Sequence, residues 1–235
     1  MITIEKFKFK IDEPYALIVG SGSISDYDFF SSYVNRADFI ICADGGARHM
    51  RKWGREPHIL LGDFDSIEQK DMELFENSTT HIFRFPAQKD STDTELALKK
   101  AFDSGFDNVI MLGCWGTRID HSMGNLHLLS WAMLEKGKSV FLLNEHNIMF
   151  VINDKIRIKS NQDHAGFKVS LLPSGGAGNG VVTRGLYFPL NGETLDIFST
   201  RGISNEMTEE TAEISLQSGL LLVILSRDQE NSLRS

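Results

Sequence analysis

The sequence predicts an α/β fold in two parts. These are an N-terminal doubly wound domain with a mainly parallel sheet over residues 1–145, and a C-terminal antiparallel β-sandwich domain over residues 146–235. Up to about residue 145, short apolar runs alternate with amphipathic stretches of helical spacing, which is typical of strands joined by crossover helices. Helical periodicity then disappears. The short strand-like runs that follow are separated by Gly, Asn, Pro and Ser turns, which indicates antiparallel pairing.

The individual elements follow from these patterns. In the first part the runs are apolar on both faces, as in a parallel sheet that helices cover on both sides. The predicted strands there are 15–19, 38–42, 59–61, 81–85, 108–112 and 139–143. The predicted helices are 25–36, 45–53, 67–77, 93–104 and 121–136. In the second part the predicted strands are 156–159, 166–171, 180–182, 195–198, 212–216 and 220–225.

Composition excludes several classes of protein. The chain has 235 residues and a net charge of −8, and this acidic balance argues against a nucleic-acid partner, which needs clustered Lys and Arg. Cys42 and Cys114 lie inside apolar runs, so neither a disulfide nor a thiolate metal site is expected. No apolar run reaches the ~20 residues that cross a bilayer, and the N-terminus lacks the core of a secretory signal. We expect a soluble cytoplasmic protein without a membrane partner.

Glycine and aspartate follow the predicted strands of the first part at the point where each strand ends. The segments are GSG at 20–22, DGG at 44–46, GDFDS at 62–66, PAQKDSTD at 86–93 and GCWGTRIDH at 113–121. In an open α/β sheet, ligands bind in the crevice outside the carboxyl ends of the strands. The five segments are therefore predicted to line one crevice.

Three aspartates in these segments have the chemistry of a hard-cation site. Asp63 and Asp65 are two residues apart, and on an extended segment they would point to the same side and share a cation. Asp93 could complete the set, because Mg²⁺ prefers oxygen ligands. The alternative is helix capping: Asp65 or Ser66 before the helix near residue 67, and Thr92 with Glu95 at capping-box spacing. For all three carboxylates on one rim, metal binding is the preferred interpretation.

The glycines of the rim lie at strand-to-helix turns, where backbone amides can approach phosphates. They are Gly20, Gly22, Gly45, Gly46, Gly113 and Gly116. The alternative is that tight turns need glycine whatever they bind. Neither standard phosphate loop is present in the sequence. His121, beside Asp120 on the rim, is a candidate substrate contact, whereas the other histidines, His49 among them, show no ligand spacing and are expected to be packed or exposed.

Taken in order, these segments resemble those of a known family. The series ADGGA (43–47), GDFDS (62–66), KDSTDTELAL (89–98) and GCWGTRIDH (113–121), followed by SLLP, TRGLYFPL and STRGISNE, is similar to thiamine pyrophosphokinases from about residue 20 to residue 225. The resemblance implies transfer of pyrophosphate from ATP to the thiamine hydroxyl, giving thiamine diphosphate and AMP. It also implies a homodimer whose active site combines the α/β rim of one subunit with the β domain of the other.

The resemblance also implies roles for individual residues. Asp63, Asp65 and Asp93 correspond to Mg²⁺ ligands. Asp44, Lys89, Asp90, Arg118 and Asp120 correspond to residues that hold or polarise the ATP triphosphate, with the glycine turns, Thr117 and His121 beside the nucleotide. Phe188, Tyr187, Ser204 and Asn205 correspond to the thiamine site. Two positions depart from the family: Thr117 replaces a second glycine of many relatives, and Phe188 replaces the tryptophan of animal relatives.

Two questions stay open at the level of sequence. Either Asp90 or Asp44 could accept the hydroxyl proton of thiamine. A haloacid-dehalogenase-like phosphatase, with Asp63 as nucleophile, is a rival enzyme class, although in that class the aspartate pair follows the first strand and here it follows the third. A non-catalytic sensor of nucleotide or thiamine is the rival outside enzymes, and it would not need several metal ligands.

Overall fold

The computed structural model describes residues 2–5, 8–11, 13–65, 67–160 and 167–227. Its contacts divide the chain into two compact units. The α/β unit comprises residues 12–128 and 138–145, and the β unit comprises residues 1–11, 129–137 and 146–235. Residues 1–11 and 129–137 thus belong to the same unit as residues 146–235. A single domain boundary at residue 145 does not describe these two units.

Sixteen strands and five α-helices occur in the described residues. The strands are β1 (Ile2–Glu5), β2 (Lys8–Lys10), β3 (Ala16–Val19), β4 (Phe39–Ala43), β5 (Ile59–Gly62), β6 (His81–Arg84), β7 (Asn108–Leu112), β8 (Ser139–Leu143), β9 (Asn147–Ile152), β10 (Lys155–Ser160), β11 (Lys168–Pro173), β12 (Gly178–Arg184), β13 (Asn191–Leu195), β14 (Asn205–Glu206), β15 (Thr211–Ser215) and β16 (Leu221–Ser226). The helices are α1 (Tyr27–Arg36), α2 (Ala47–Trp53), α3 (Gln69–Glu76), α4 (Asp93–Asp103) and α5 (Ile119–Lys136).

The sheet of the α/β unit is parallel throughout, in the order β8-β7-β3-β4-β5-β6. From β3 the chain builds outward to β6 and then returns to β7 on the other side of β3. The strand order therefore reverses between β3 and β7, and such a switch point opens a crevice at the carboxyl ends of the two strands. Strands β3, β4, β5 and β7 are almost wholly buried, as their apolar sequences predict.

The β unit contains two groups of strands, ordered β13-β12-β15-β10-β1-β2 and β14-β11-β16-β9. Every pair is antiparallel except β1 with β10. The predicted fold class, a mainly parallel α/β domain followed by a domain of antiparallel strands, is confirmed.

Local predictions differ from the structure at a few elements. Strands β1, β2, β9 and β14 were not predicted, and β13 ends at Leu195, where the sequence places the start of a strand. Residues 147–152 are almost continuously buried, so their sequence lacks the apolar–polar alternation that marks a half-exposed strand. None of the described helices is long and apolar enough to span a membrane.

Candidate active site

A cleft of about 670 Å³ lies in the α/β unit, bounded by the loops that follow its parallel strands. Most of the residues predicted for the rim line it. These are Gly20, Gly22, Asp44, Asp63, Asp65, Lys89, Asp90, Asp93, Gly113, Gly116, Thr117, Arg118 and His121. Gly45 and Gly46 are buried and Asp120 is exposed, and none of these three is a lining residue. The convergence expected of separate strand ends is therefore present.

Three carboxylates meet in this cleft. Asp44, after β4, and Asp63 and Asp65, after β5, each offer an oxygen within 4.8 Å of the others. Gly62 makes this approach possible, because a Cβ at that position would lie 3.1 Å from Cβ of Asp44. Asp44 itself has a φ of 45°, which is uncommon for a residue with a side chain. Oxygen Oδ1 of Asp44 is buried from solvent. The backbone thus brings three acidic groups into one partly buried place.

Asp63 and Asp65 come together by a different route from the one the sequence suggested. The intervening Phe64 has a φ of 66°, so the segment is a turn and not an extended strand. The backbone N–H of Asp65 donates to Oδ1 of Asp63 at 3.2 Å, and the guanidinium of Arg84 lies 4.9 Å from the centre of the Phe64 ring. Ser66, the alternative helix cap, lies outside the described residues. Helix α3 has Glu68 at its N-cap, without a side-chain cap bond.

Asp93 lies outside the three-carboxylate group. Its Oδ1 is 2.9 Å from Nζ of Lys89, and both side chains are largely buried, with 24% and 15% exposed. The predicted cap of α4 is present beside it, since Oγ1 of Thr92 accepts from the backbone N–H of Glu95 at 3.2 Å. Asp93 therefore combines a position in the first turn of a helix with an ion pair inside the cleft.

Arg118 and Asp120 form an exposed ion pair at the edge of the cleft. Two nitrogens of the guanidinium contact the carboxylate, with Nη2 2.5 Å from Oδ2 and Nε 3.3 Å from Oδ1. This hydrogen-bonded contact lowers the pKa of Asp120 and raises the pKa of Arg118. Asp120 is thus a partner of Arg118 in this structure, while Arg118 itself faces the cleft.

The glycines at the switch point pack backbone against backbone. The amide of Gly20 donates to the carbonyl of Leu112 at 2.8 Å, and the amide of Gly22 donates to the carbonyl of Gly113 at 2.6 Å. The amide of Gly116 likewise donates to Oγ of Ser122 at 3.1 Å. These three amides have acceptors inside the protein, which for these glycines favours the alternative of a tight turn over direct phosphate contact.

Replacing Gly22 with alanine is expected to lower the free energy of unfolding by about 1–3 kcal/mol, as overpacking does. The new Cβ would lie 2.6 Å from the carbonyl oxygen of Gly113 and 2.8 Å from that of Trp115, and both contacts are backbone. Urea titration measures the change. Gly116→Ala is the matched control, because its Cβ would approach only Cα of Gly22, at 3.8 Å. Equal stability of the two variants would contradict the close backbone approach of Gly22 to Gly113.

Sequence reasoning missed two polar residues of α5 that hold the turn after β7. Nδ2 of Asn125 donates to the carbonyl of Cys114 at 2.6 Å, and Oγ of Ser122 donates to the carbonyl of Gly116 at 3.2 Å. The two residues are three positions apart, so they lie on the same face of the helix. This spacing of polar residues was the signal in the sequence that could have identified them. Cys114 is buried, and burial raises the pKa of its thiol to about 12.

The four residues predicted for thiamine lie together in the β unit. The rings of Tyr187 and Phe188 are exposed and meet edge to face, 4.8 Å between centres. Asn205 is buried and is joined to the backbone of Phe188, accepting from its N–H at 2.9 Å and donating to its carbonyl at 2.7 Å. Ser204 has a φ of 59°, and its amide donates to Oγ of Ser170 at 3.0 Å. Asn205 thus orients the aromatic pair through the backbone.

Comparison with known proteins matches both halves of the chain to one family. The model "Thiamin pyrophosphokinase, catalytic domain" matches residues 30–142, and "Thiamin pyrophosphokinase, vitamin B1 binding domain" matches residues 155–221. Thiamine pyrophosphokinase of Bacillus subtilis is 26% identical to this chain over 211 residues, a match that covers 90% of this chain and 98% of the Bacillus subtilis protein. A crystal structure of the Bacillus subtilis enzyme has a TM-score of 0.82 at 25% identity, covering 92% of this chain and 100% of that one. Thiamin pyrophosphokinase from Candida albicans shares the fold, with a TM-score of 0.79 at 17% identity over 92% of this chain and 89% of that one.

The parallel α/β fold, its acidic cleft and the matched catalytic domain define the chain as an ATP-dependent transferase of the kinase class. More narrowly, the chain belongs to the thiamin pyrophosphokinase family. The family and enzyme class predicted from the sequence are confirmed. The individual site residues stay predictions, now with the geometry given above.

Proposed function

We propose that the chain transfers the β,γ-pyrophosphoryl group of ATP to the hydroxyl of thiamine in the cleft of the α/β unit, with Mg²⁺ bound by its carboxylates. The observation that carries the proposal is the convergence of Asp44, Asp63 and Asp65 within 4.8 Å, beside the cationic side chains of Lys89 and Arg118. Acidic groups for a cation and basic groups for phosphate are both needed to handle a polyphosphate.

The three carboxylates fit Mg²⁺. Oxygen ligands on one octahedral Mg²⁺ at 2.0–2.1 Å lie about 3–4 Å apart, a spacing compatible with oxygens already within 4.8 Å of one another. Three anionic groups this close repel one another, so a cation between them lowers their energy. Asp93 stays the fourth candidate ligand because it lines the same cleft. When bound, Mg²⁺ would supply charge neutralisation at the phosphate oxygens.

The chain's own side chains align and neutralise the remaining phosphate charge. Lys89 is largely buried and has its direction set by Asp93, so its ammonium is presented to a phosphate oxygen without much loss of side-chain freedom. Arg118 offers a planar guanidinium that suits two oxygens at once. Asp120 contacts that guanidinium and orients it. Together these residues hold the β-phosphorus in line with the incoming hydroxyl and the departing AMP.

Asp90 is the better candidate to accept the hydroxyl proton of thiamine. Asp44, the alternative, lies in the three-carboxylate group, where a bound cation would lower its basicity. Asp90 lines the cleft, is exposed, and lies outside that group. An exposed carboxylate at this rim can reach an incoming alcohol, as a general base must.

Thiamine recognition is assigned to the β unit. The exposed rings of Tyr187 and Phe188 offer π faces to the thiazolium cation, an interaction worth about 0.5–2 kcal/mol for aromatic rings. Asn205 fixes the backbone of Phe188 by two hydrogen bonds, and Ser204 directly precedes Asn205 in the chain.

Asn205→Ala is expected to raise the KM for thiamine about tenfold and to destabilise the protein by about 1–2 kcal/mol. It leaves the N–H and the carbonyl of Phe188 without their side-chain partner, a loss of this order. Steady-state kinetics at saturating ATP measures the KM. Asn205→Asp keeps the acceptor for the N–H but sets a buried carboxylate oxygen against the carbonyl of Phe188, so an effect at least as large is expected. An unchanged KM in both variants would remove Asn205 from thiamine recognition.

The protein is further proposed to act as a homodimer in which one subunit supplies the carboxylate cleft and its partner the aromatic pair. Sedimentation tests the association itself. Complementation tests the shared site: Asp63→Asn and Phe188→Ala subunits, each expected to be less active alone than the unmodified protein, are mixed under conditions of subunit exchange. Recovery of part of the activity supports a site built from two subunits, whereas no recovery in exchanged dimers contradicts it.

The decisive experiment is incubation of the purified chain with thiamine, ATP and Mg²⁺. AMP and thiamine diphosphate in equal amounts are expected. Free phosphate or a phosphorylated aspartate would point to the phosphatase alternative, and saturable binding without AMP would point to a sensor. The Asp63–Asp65 pair follows β5, the third parallel strand in chain order, whereas the phosphatase class carries its pair after the first strand.

A further inference from the structure

His49 lies behind the cleft and reaches the glycine loop after β3 without lining the cleft itself. It is on α2 and 3% exposed. Its Nε2 is 2.8 Å from the carbonyl oxygen of Gly22, and its Nδ1 is 2.6 Å from the hydroxyl of Tyr27. A carbonyl can only accept, so Nε2 carries the proton and Nδ1 accepts from Tyr27. The two neighbours thus select one neutral tautomer of the imidazole.

The surroundings of His49 stabilise that neutral form. Burial lowers the pKa of the imidazole to about 4, and the charges of Arg48 and Lys52 act in the same direction. The hydrogen bond to the Gly22 carbonyl and the charge of Glu145 raise the pKa of the imidazole, but both effects are weaker than that of burial. The ring therefore stays an uncharged donor at Nε2 throughout the neutral pH range.

Gly22 is held on two sides. Its carbonyl accepts from Nε2 of His49 and, at 3.4 Å, from Nη2 of Arg48, while its amide donates to the carbonyl of Gly113. Gly113 begins the turn after β7 that leads to Thr117 and Arg118. A displacement of the Gly22 carbonyl would be passed through this amide to the β7 turn, because the two backbones are already closer than a Cβ allows.

We propose that His49 is a positioning residue for nucleotide binding: by donating to the Gly22 carbonyl, it keeps the β3 loop against the β7 turn at the switch point of the sheet. The inference rests on the proposed function in one respect, namely that the nucleotide phosphates bind in this cleft. His49 touches neither substrate, and its effect reaches them only through Gly22 and Gly113. This role was not visible in the sequence, where His49 has no ligand spacing.

Two replacements of His49 separate its contacts. His49→Gln carries an amide nitrogen near the position of Nε2 and keeps the donor for Gly22. His49→Asn places its amide near the position of Nδ1, so it keeps a partner for Tyr27 and loses the Gly22 contact. The KM for ATP is expected to rise about tenfold in the Asn variant, with kcat changed less, and to stay within about threefold in the Gln variant. Tyr27→Phe leaves the imidazole of His49 in place and removes only the hydroxyl that fixes its tautomer. For this variant an intermediate rise in the KM for ATP is expected.

Hydrogen exchange at the Gly22 amide gives a readout independent of the reaction. Faster exchange than in the unmodified protein is expected for His49→Asn and unchanged exchange for His49→Gln. The proposal would be overturned if both variants kept the KM for ATP and the exchange rate of the unmodified protein. It would also be overturned if both variants lost affinity and protection to the same extent, because that is the pattern of a purely packed histidine. If the unmodified protein forms no AMP, the proposed function fails, and the exchange comparison still decides whether His49 positions the loop.

Discussion

Replacing Asp63 with asparagine is expected to lower pyrophosphoryl transfer at least about a thousandfold while leaving the fold intact. Asp63 belongs to the group of three carboxylates with Asp44 and Asp65, and asparagine keeps its size while removing the charge that attracts a cation. Charge stabilisation by a bound metal ion contributes several kcal/mol to such transfers, which corresponds to a loss of this size. The initial rate of AMP release, at saturating ATP and thiamine, measures the effect.

Asp107→Asn is the matched control for Asp63→Asn. Asp107 is an exposed aspartate that pairs with Lys138 and comes directly before β7, at the opposite end of that strand from the cleft. Near-normal turnover is expected there, since an exposed pair contributes little. Calorimetric titration with Mg²⁺ completes the test: weakened binding is expected only in Asp63→Asn. Normal turnover and normal Mg²⁺ binding in Asp63→Asn would remove the metal site from this cleft.

The convergence of the acidic side chains could be predicted from the sequence, but not its local geometry. Strand ends of a parallel sheet share one edge, so Asp63 and Asp65 were expected beside the other rim residues whatever the details. The φ of 66° at Phe64 that turns their segment was not predictable, because phenylalanine rarely adopts it without tertiary contacts. Here Arg84 packs over the Phe64 ring, a contact between residues 20 positions apart.

The same limit explains the different places of Asp44 and Asp93. The family resemblance implied that Asp44 holds the triphosphate and that Asp93 is a metal ligand. The structure joins Asp44 to the carboxylate group through the close approach of Gly62, whereas Asp93 pairs with Lys89. The sequence allows both the close approach at Gly62 and the pairing of Asp93 with Lys89, but many backbone conformations are compatible with each. The packing of the folded sheet determines which conformation is adopted.

Asp93→Ala is expected to abolish measurable turnover, with a stability loss of about 1–3 kcal/mol, because the largely buried ammonium of Lys89 loses its partner. Removing this carboxylate leaves Lys89 largely buried without the oxygen 2.9 Å away that orients it. Because Asp93 lies outside the three-carboxylate group, Mg²⁺ binding is expected to weaken less than in Asp63→Asn. Turnover, urea titration and Mg²⁺ calorimetry on the same protein give the three values.

The control for Asp93→Ala lies on the same helix. Glu95→Gln also removes an acid from the first turn of α4 and also breaks an ion pair of spacing four, with Lys99, but Glu95 does not line the cleft. Turnover close to that of the unmodified protein is expected for this variant. If Asp93→Ala behaved like Glu95→Gln, the Lys89 pair would be a helix-surface contact of the ordinary kind. If Mg²⁺ binding were instead lost as completely as in Asp63→Asn, Asp93 would act as a ligand, and the loss of turnover would arise from the metal.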